Sequence, residues 1–203
     1  EGLLREGQSV DVRLFLDGAI GVAVSPDGGH VYVVSGNDDA VAWFAVDPSS
    51  GALSFGGMAK DGVAGVDGLD SARAVAVSPD GNNVYVASAS DDAIAWFARD
   101  ASSGALSFGG TAKDGVAGVD GLDNACNVAV SPDGGHVYVV SPGDDAVAWF
   151  ARDASSGALS FGGMAMDGVA QVDGLSYASG VALSPDGSHV YVASASDDAV
   201  AWF

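Results

Sequence analysis

Short apolar runs alternate with turns rich in glycine, aspartate and serine along the whole chain. In the second copy of this pattern the apolar runs cover residues 74–77, 84–87, 93–98 and 105–108. Their length, their valine and aromatic content and the turns between them are typical of β-strands, and no stretch keeps a helical period. The pattern therefore predicts an all-β protein in which each copy contributes four antiparallel strands.

The pattern recurs with a constant step of 53 residues. The Ser-Pro-Asp-Gly turn begins at Ser25, Ser78, Ser131 and Ser184, and the tryptophans Trp43, Trp96, Trp149 and Trp202 keep the same step. The repeats cover residues 1–53, 54–106, 107–159 and 160–203. Since one such unit cannot bury its own apolar face, a fixed period of this length indicates stacked units. We therefore expect one domain over residues 1–203.

The second and third strands of each repeat are apolar on both faces, which indicates sheets that are covered on both sides. The first strand places alanine at alternate positions, and these small side chains suit a point where blades converge on an axis: Ala23, Ala76, Ala129 and Ala182. Together these features predict a β-propeller of four blades with four antiparallel strands each. The four tryptophans are then expected to be mostly buried between blades.

Three arrangements of the complete propeller are possible. The chain starts inside a fourth strand and ends after a third strand, so residues 2–6 are predicted to pair with the strand that contains Trp202. That pairing would close a four-bladed ring and remove exposed strand edges. Two chains could instead exchange strands in an eight-bladed ring, which would be a homodimer. Alternatively, the chain could be part of a larger propeller.

The net charge of the chain disfavours some classes of binding partner. Its 27 acidic and 7 basic residues give a formal net charge of −20. This balance disfavours nucleic acid, because such binding depends on Lys and Arg at phosphates. No apolar run approaches the roughly 20 residues that a membrane helix needs. We expect no nucleic-acid partner, no membrane insertion and an extracytoplasmic location, whether secreted, periplasmic or on the cell surface.

Aspartates are concentrated in the loops before the first strand and between the second and third strands, which should emerge on one face. The long loop has the spacing Asp-x5-Asp-x2-Asp, which differs from an EF-hand. Ca²⁺ takes several oxygen ligands from carboxylates and loop carbonyls, so we consider Ca²⁺ as the candidate cofactor, with turn capping as the alternative. The candidate ligands are Asp61, Asp67, Asp70, Asp114, Asp120, Asp123, Asp167 and Asp173.

A second candidate site lies where the first strand enters the central channel. The position before this strand is Ile20, Arg73, Cys126 or Ser179 in the four repeats, although the repeats are otherwise very similar. Such variation can mark a ligand-facing channel mouth or simple drift at a solvent position. We expect Arg73, Asn127 and Tyr177 to bind a ligand there. Cys126 is not expected to be a nucleophile, and His30, His136 and His189 are expected to be exposed hairpin residues.

The repeat also resembles a known family. The segments Val-Ala-Val-Ser-Pro-Asp-Gly, Val-Tyr-Val-Ala-Ser and Ser-Gly-Ala-Leu-Ser-Phe are similar to the repeats of bacterial lactonase-like, YVTN-type β-propellers over essentially the whole chain. The resemblance implies a propeller that commonly has seven blades. This sequence contains no set of Arg, His and Glu residues that the resemblance would assign to lactone hydrolysis. Many members of the family have no established catalytic activity.

The sequence leaves three functional interpretations. The leading one is a non-catalytic binding or scaffold propeller with an acidic, cation-dependent loop face, whose partner is a protein or a small molecule. The alternatives are a lactonase-like hydrolase of a small ester at the channel mouth and a structural repeat of a surface protein or filament. An enzyme would need convergent reactive groups at the channel mouth, which a scaffold would not.

Overall fold

A computed structural model describes residues 16–203, which form fifteen β-strands in four antiparallel sheets. Blade 1 contains β1 (Ala19–Val24), β2 (His30–Ser35), β3 (Ala40–Val46) and β4 (Leu53–Lys60). Blade 2 contains β5 (Ala72–Val77), β6 (Asn83–Ser88), β7 (Ala93–Arg99) and β8 (Leu106–Lys113). Blade 3 contains β9 (Asn127–Val130), β10 (His136–Ser141), β11 (Ala146–Arg152) and β12 (Leu159–Met166). Blade 4 contains β13 (Ala178–Leu183), β14 (Val190–Ser194) and β15 (Ala199–Trp202).

Each sheet is a meander in which consecutive strands pair, and the first strands of successive blades lie against one another. This is a propeller-like arrangement and confirms the all-β prediction. Apolar side chains fill the spaces between blades, as shown by Tyr85, Ile94 and Phe150, which are fully buried. Within the described part of the chain, no helix is long and apolar enough to cross a membrane.

The fourth strand is longer than the sequence pattern indicated, because β8 continues past Phe108 to Lys113. Its pairing with β7 shifts register between Trp96 and Phe97. The next two residues of β8, Gly109 and Gly110, then pass flat over the indole of Trp96. A Cβ atom on Gly110 would lie 2.4 Å from Trp96 Cζ2. Glycine therefore allows the outer strand to cover the tryptophan, and the same pair recurs in blades 1 and 3.

The two end blades each have an open side. Val22 in blade 1 is 66% exposed, whereas the equivalent Val75 in blade 2 is 9% exposed. Trp202 is 72% exposed, so the prediction that all four tryptophans are mostly buried is wrong for this residue. The reason is that β15 has no fourth strand against it among the described residues. The predicted pairing of residues 2–6 lies outside the described residues.

Candidate functional site

The acidic loops meet on one face in three equivalent clusters. In each cluster a carboxylate oxygen from every member lies within 4.8 Å of the others: Asp61, Asp67 and Asp91; Asp114, Asp120 and Asp144; Asp167, Asp173 and Asp197. The third member comes from the turn between the second and third strands, which sequence reasoning did not select as a ligand. The predicted ligands Asp70 and Asp123 lie outside the clusters. Their backbone N–H groups donate instead to Asp91 and Asp144, at 3.0 and 2.9 Å.

The first two clusters differ in whether a lysine side chain lies among the carboxylates. Lys113 Nζ lies 2.9 Å from Asp67 Oδ1 and 2.8 Å from Asp91 Oδ1. Burial alone would raise the pKa of Asp91, but the hydrogen bond and charge of Lys113 hold that pKa below its ordinary value. The equivalent of Lys113 in blade 3 is Met166. The ammonium group thus offsets part of the negative charge of the blade 2 cluster, whereas methionine leaves the blade 3 carboxylates without a cation at this position.

The blade 3 cluster shows the electrostatic consequence. The pKa of Asp144 is raised by burial and by the charges of neighbouring carboxylates, in spite of the hydrogen bond from the Asp123 N–H. An added cation would relieve repulsion in this cluster. Carboxylates are the oxygen ligands that Ca²⁺ prefers. Calcium binding by the loop aspartates stays a prediction.

The second aspartate of each Asp-Asp turn has a different role. Asp92 Oδ1 accepts a hydrogen bond at 2.8 Å from the backbone N–H of Asn124 in the next blade, and Asp145 Oδ1 accepts one from Tyr177 at 2.6 Å. Both donor residues adopt a left-handed backbone, with φ of 59° for Asn124 and 56° for Tyr177. Asn tolerates this region better than most residues, whereas a bulky Tyr adopts it rarely. The hydrogen bonds therefore stabilise the segment that leads into each first strand.

These segments surround a cavity of about 310 Å³ at the inner ends of the blades. The cavity is lined by Ile20, Arg73, Asn124, Cys126, Pro142, Tyr177 and Ser179. We call it the axial cavity. Four of these residues share one variable position of the repeat, which the structure places at the start of the first strand (Ile20, Arg73 and Ser179) or directly before it (Cys126). Asn124 and Tyr177 occupy a second variable position two residues earlier. The structure thus brings Arg73 and Tyr177 to one cavity, and ligand binding by them stays a prediction.

The third residue predicted to bind a ligand, Asn127, lies outside this cavity. Its Nδ2 donates to the Ser179 carbonyl at 3.3 Å. Asn124 lines the cavity instead. The signal that could have identified it is its position in the repeat, where Gly18, Ser71, Asn124 and Tyr177 differ from one another.

The groups in the axial cavity favour binding of an oxygen-rich or anionic small molecule. The guanidinium of Arg73 is exposed and permanently charged. Burial raises the pKa of the Cys126 thiol to about 11, although the charge of Arg73 lowers it somewhat. The thiol is therefore protonated at neutral pH and is not an activated nucleophile. Asp123 is not in the lining of this cavity but neighbours it, since the Gly143 N–H, directly after the cavity residue Pro142, donates to the Asp123 carbonyl at 3.1 Å.

The three histidines do not share one environment. His136 and His189 are exposed, as predicted. His30 is 6% exposed, so the prediction is wrong for this residue. The side chain of Arg99 and the hairpin at Gly104 cover its ring, and both belong to blade 2. None of the three histidines lines the axial cavity.

Comparison with known proteins gives a family match. The family described as "Lactonase, 7-bladed beta-propeller" matches residues 16–119. The comparison with curated proteins gives no match.

Several solved structures share the fold. A candidate 6-phosphogluconolactonase from Bacteroides fragilis has a TM-score of 0.73 and is 20% identical, and the match covers 96% of this chain and 52% of that chain. A similar candidate from Bacteroides uniformis has a TM-score of 0.72 and 20% identity, covering 91% and 49%. The periplasmic gluconolactonase of Pseudomonas aeruginosa has a TM-score of 0.63 and is 28% identical, with 75% and 40% covered. The chain thus spans about half the length of these proteins.

Proposed function

Because this chain belongs to the lactonase family of seven-bladed β-propellers, we propose that it takes part in hydrolysis of a small sugar lactone bound in the axial cavity. The observation that carries this proposal is the convergence of Arg73, Asn124 and Tyr177 on one cavity at the inner ends of the blades. The named relatives favour this hydrolase alternative over the non-catalytic scaffold that the sequence alone suggested. The third interpretation, a filament or surface repeat, gains no support from them.

Arg73 is the residue to which we assign recognition of the substrate's polar end. A guanidinium can donate two parallel hydrogen bonds to a phosphate or carboxylate, and it can also stabilise negative charge on a carbonyl oxygen. The amide of Asn124 and the hydroxyl of Tyr177 can orient sugar hydroxyl groups. A few polar groups that converge in a small cavity are typical of such sites.

Lactone hydrolysis adds water across one ester bond. The water oxygen attacks the carbonyl carbon and gives a proton to a base, and negative charge develops on the carbonyl oxygen. Collapse then breaks the bond to the ring oxygen, which takes up a proton, so the product is an open-chain hydroxy acid. Asp123, which is bonded through its carbonyl to Gly143 beside the cavity residue Pro142, is our candidate for the base that orients the water.

The four described blades would supply only part of the channel wall in a seven-bladed ring. Substrate groups that point away from Arg73 would then contact blades outside this sequence. The three residues assigned to substrate binding, Arg73, Asn124 and Tyr177, nevertheless all line the axial cavity. Binding at the axial cavity can therefore be measured separately from turnover.

The proposal is tested by following proton release from glucono-δ-lactone and from its 6-phosphate at constant pH. We expect the purified protein to exceed the spontaneous rate, and Arg73→Met to lose at least about tenfold, the size expected when an ionic hydrogen bond is removed. Lys60→Met is the matched control, because it removes one positive charge from the outer strand β4. Equal rates for Arg73→Met and the unmodified protein would contradict the assignment of the site.

A further inference from the structure

Three aspartates hold the backbone that leads to a cavity residue of the second variable position. In blade 3 the N–H groups of Leu122, Asp123 and Asn124 donate to carboxylate oxygens of Asp114, Asp144 and Asp92, at 3.0, 2.9 and 2.8 Å. These carboxylates come from the residue after β8, from the β10–β11 turn and from the β6–β7 turn of the preceding blade. We call this set of three acceptors the carboxylate clamp. It fixes the backbone at Asn124 from two blades at once.

Blades 2 and 4 carry the same clamp. In blade 4 the N–H groups of Leu175, Ser176 and Tyr177 donate to Asp167, Asp197 and Asp145, at 3.0, 2.8 and 2.6 Å. In blade 2 those of Leu69, Asp70 and Ser71 donate to Asp61, Asp91 and Asp39, at 3.0, 3.0 and 2.9 Å. The third donor is left-handed in each blade, with φ of 56°, 59° and 56° for Ser71, Asn124 and Tyr177. We call this third donor the clamped position, because its backbone is the same whichever side chain it carries.

Tyrosine is the costly residue at the clamped position. Asparagine tolerates the left-handed region, whereas a bulky residue adopts it rarely. Such strain persists only where the surrounding structure enforces it, and it is concentrated at binding and catalytic sites. Asn124 and Tyr177 line the axial cavity, whereas Ser71 does not. The strained residue thus lies in the wall of the cavity, which indicates that its ring has a role in binding.

We propose that the clamped position determines which ligand the axial cavity selects, and that the ring of Tyr177 stacks on the closed ring of a sugar lactone. The C–H face of a closed sugar ring is apolar and matches the face of an aromatic ring. An open-chain sugar acid has no such face. This inference rests on the proposed function, because it concerns the ligand of the same cavity.

Asp145 is the positioning residue for this contact. Its Oδ1 accepts the hydrogen bond from the Tyr177 N–H, and Asp145 itself does not line the cavity. Hydrogen bonds to a charged carboxylate are stronger than those between neutral groups. Loss of this acceptor would release the Tyr177 backbone from the left-handed region and move the ring away from the ligand. Asp145 therefore acts on ligand selection through the backbone of Tyr177.

The first test compares a closed-ring ligand with an open-chain ligand. Calorimetry gives the affinities of glucose 6-phosphate, which is almost entirely a closed ring in water, and of 6-phosphogluconate, which is an open chain. Tyr177→Asn gives blade 4 the residue that blade 3 carries in the same clamp, so we expect an unchanged or higher melting temperature. The ratio of closed-ring to open-chain affinity should fall roughly threefold to tenfold, the size of a stacking contact. Tyr177→Phe keeps the ring and should keep the ratio.

The second test separates positioning from general stability. Asp145→Ala should lower the affinity ratio as Tyr177→Asn does, whereas Asp145→Asn keeps an acceptor oxygen and should restore the ratio. Asp39→Ala is the matched control, because it removes the equivalent acceptor from Ser71, which does not line the cavity. We expect Asp39→Ala and Asp145→Ala to lower the melting temperature to a similar extent, and only Asp145→Ala to change the ratio.

The outcomes distinguish this inference from the proposed function. An affinity ratio that is the same in Tyr177→Asn and the unmodified protein would overturn the inference, even if Arg73→Met abolished binding and so kept the ligand in the axial cavity. Equal ratio changes in Asp39→Ala and Asp145→Ala would overturn the positioning role of Asp145. Binding of neither ligand to the unmodified protein would overturn the inference together with the proposed function. A ratio that falls as expected in a protein that hydrolyses no lactone would support the inference and overturn the proposed function alone.

Discussion

At the residue scale, a small number of polar side chains fix how the blades meet. Arg152 donates to partners in blade 2 and, at 3.0 Å, to the Gly134 carbonyl of its own blade. Burial would raise the pKa of Asp80, but hydrogen bonds from Ser78, Asn82 and Arg152 lower it to about 2. Burial raises the pKa of Tyr85 to about 12. The interface therefore favours a charged carboxylate and a neutral phenol.

We predict that Arg152→Val destabilises the protein by roughly 2–3 kcal/mol, which is below the usual cost of breaking a buried pair because Asp80 is 35% exposed and can be rehydrated. Urea unfolding followed by circular dichroism measures this cost. The matched control is Val46→Arg at the equivalent position of blade 1. No blade precedes blade 1 among the described residues, so the new guanidinium would have no carboxylate and tyrosine to bind there and should not stabilise the protein. An unchanged midpoint for Arg152→Val would contradict the role assigned to the guanidinium.

The same interface predicts a pH dependence. The folded pKa of Asp80 is depressed, so its contribution is present above the ordinary pKa of 3.8 and is lost as the pH falls towards about 2. The folded pKa of Tyr85 is raised, so its contribution is complete below 10 and is lost between 10 and about 12. The stability difference between the unmodified protein and Arg152→Val should therefore shrink below pH 3.8. A constant difference at all acidic pH values would contradict the pairing.

A natural difference between blades supplies a second residue-scale prediction. Lys113→Met should reduce stability by roughly 0.5–1 kcal/mol, the size of a partly exposed ion pair. Met166→Lys should increase stability at neutral pH, because the new ammonium would lie among Asp114, Asp120 and Asp144. NMR titration should show a lower pKa for Asp144 in Met166→Lys. An unchanged pKa for Asp144 would show that a lysine at position 166 does not act on Asp144 as Lys113 acts on Asp91.

At the element scale, the blade is a meander whose outer strand is adapted to tryptophan. The apolar runs and turns were enough to predict the strands, because each strand keeps its own valine and aromatic residues. The length of β8 was not predictable from the same pattern, since Gly109 and Gly110 interrupt it as a turn would. Only the contact with the Trp96 indole shows that these glycines belong to a strand.

We predict that Gly110→Ala destabilises blade 2 by roughly 1–3 kcal/mol, the range for overpacking, because its Cβ would overlap the Trp96 ring. Tryptophan emission should also shift, since the outer strand would be pushed off the indole. Gly115→Ala is a useful control: its φ of 68° is also unfavourable for alanine, but no atom lies within 4 Å of the added Cβ. A larger loss for Gly115→Ala than for Gly110→Ala would contradict the steric explanation.

At the scale of the whole molecule, the 53-residue period predicted the repeat and the radial arrangement. The period could not predict which blades close the ring, because every repeat offers the same contacts to a neighbour on either side. The lining of the axial cavity was partly predictable for a related reason. Variation between near-identical repeats pointed to Arg73 and Tyr177, and the same signal was present at Asn124, which shares the repeat position of Tyr177. That Asn127 lies outside the cavity depends on how the chain turns at Asn124 before β9, which the repeat pattern does not specify.

We propose that the axial cavity binds the lactone or its ring-opened product. Titration of the ¹⁵N-labelled protein with the phosphorylated hydroxy acid tests this binding without requiring turnover. We expect the largest amide shifts on Arg73, Asn124, Cys126 and Tyr177, and we expect Arg73→Met to remove them. Shifts that concentrate on the acidic clusters or on β15, or that persist unchanged in Arg73→Met, would show that the ligand binds elsewhere.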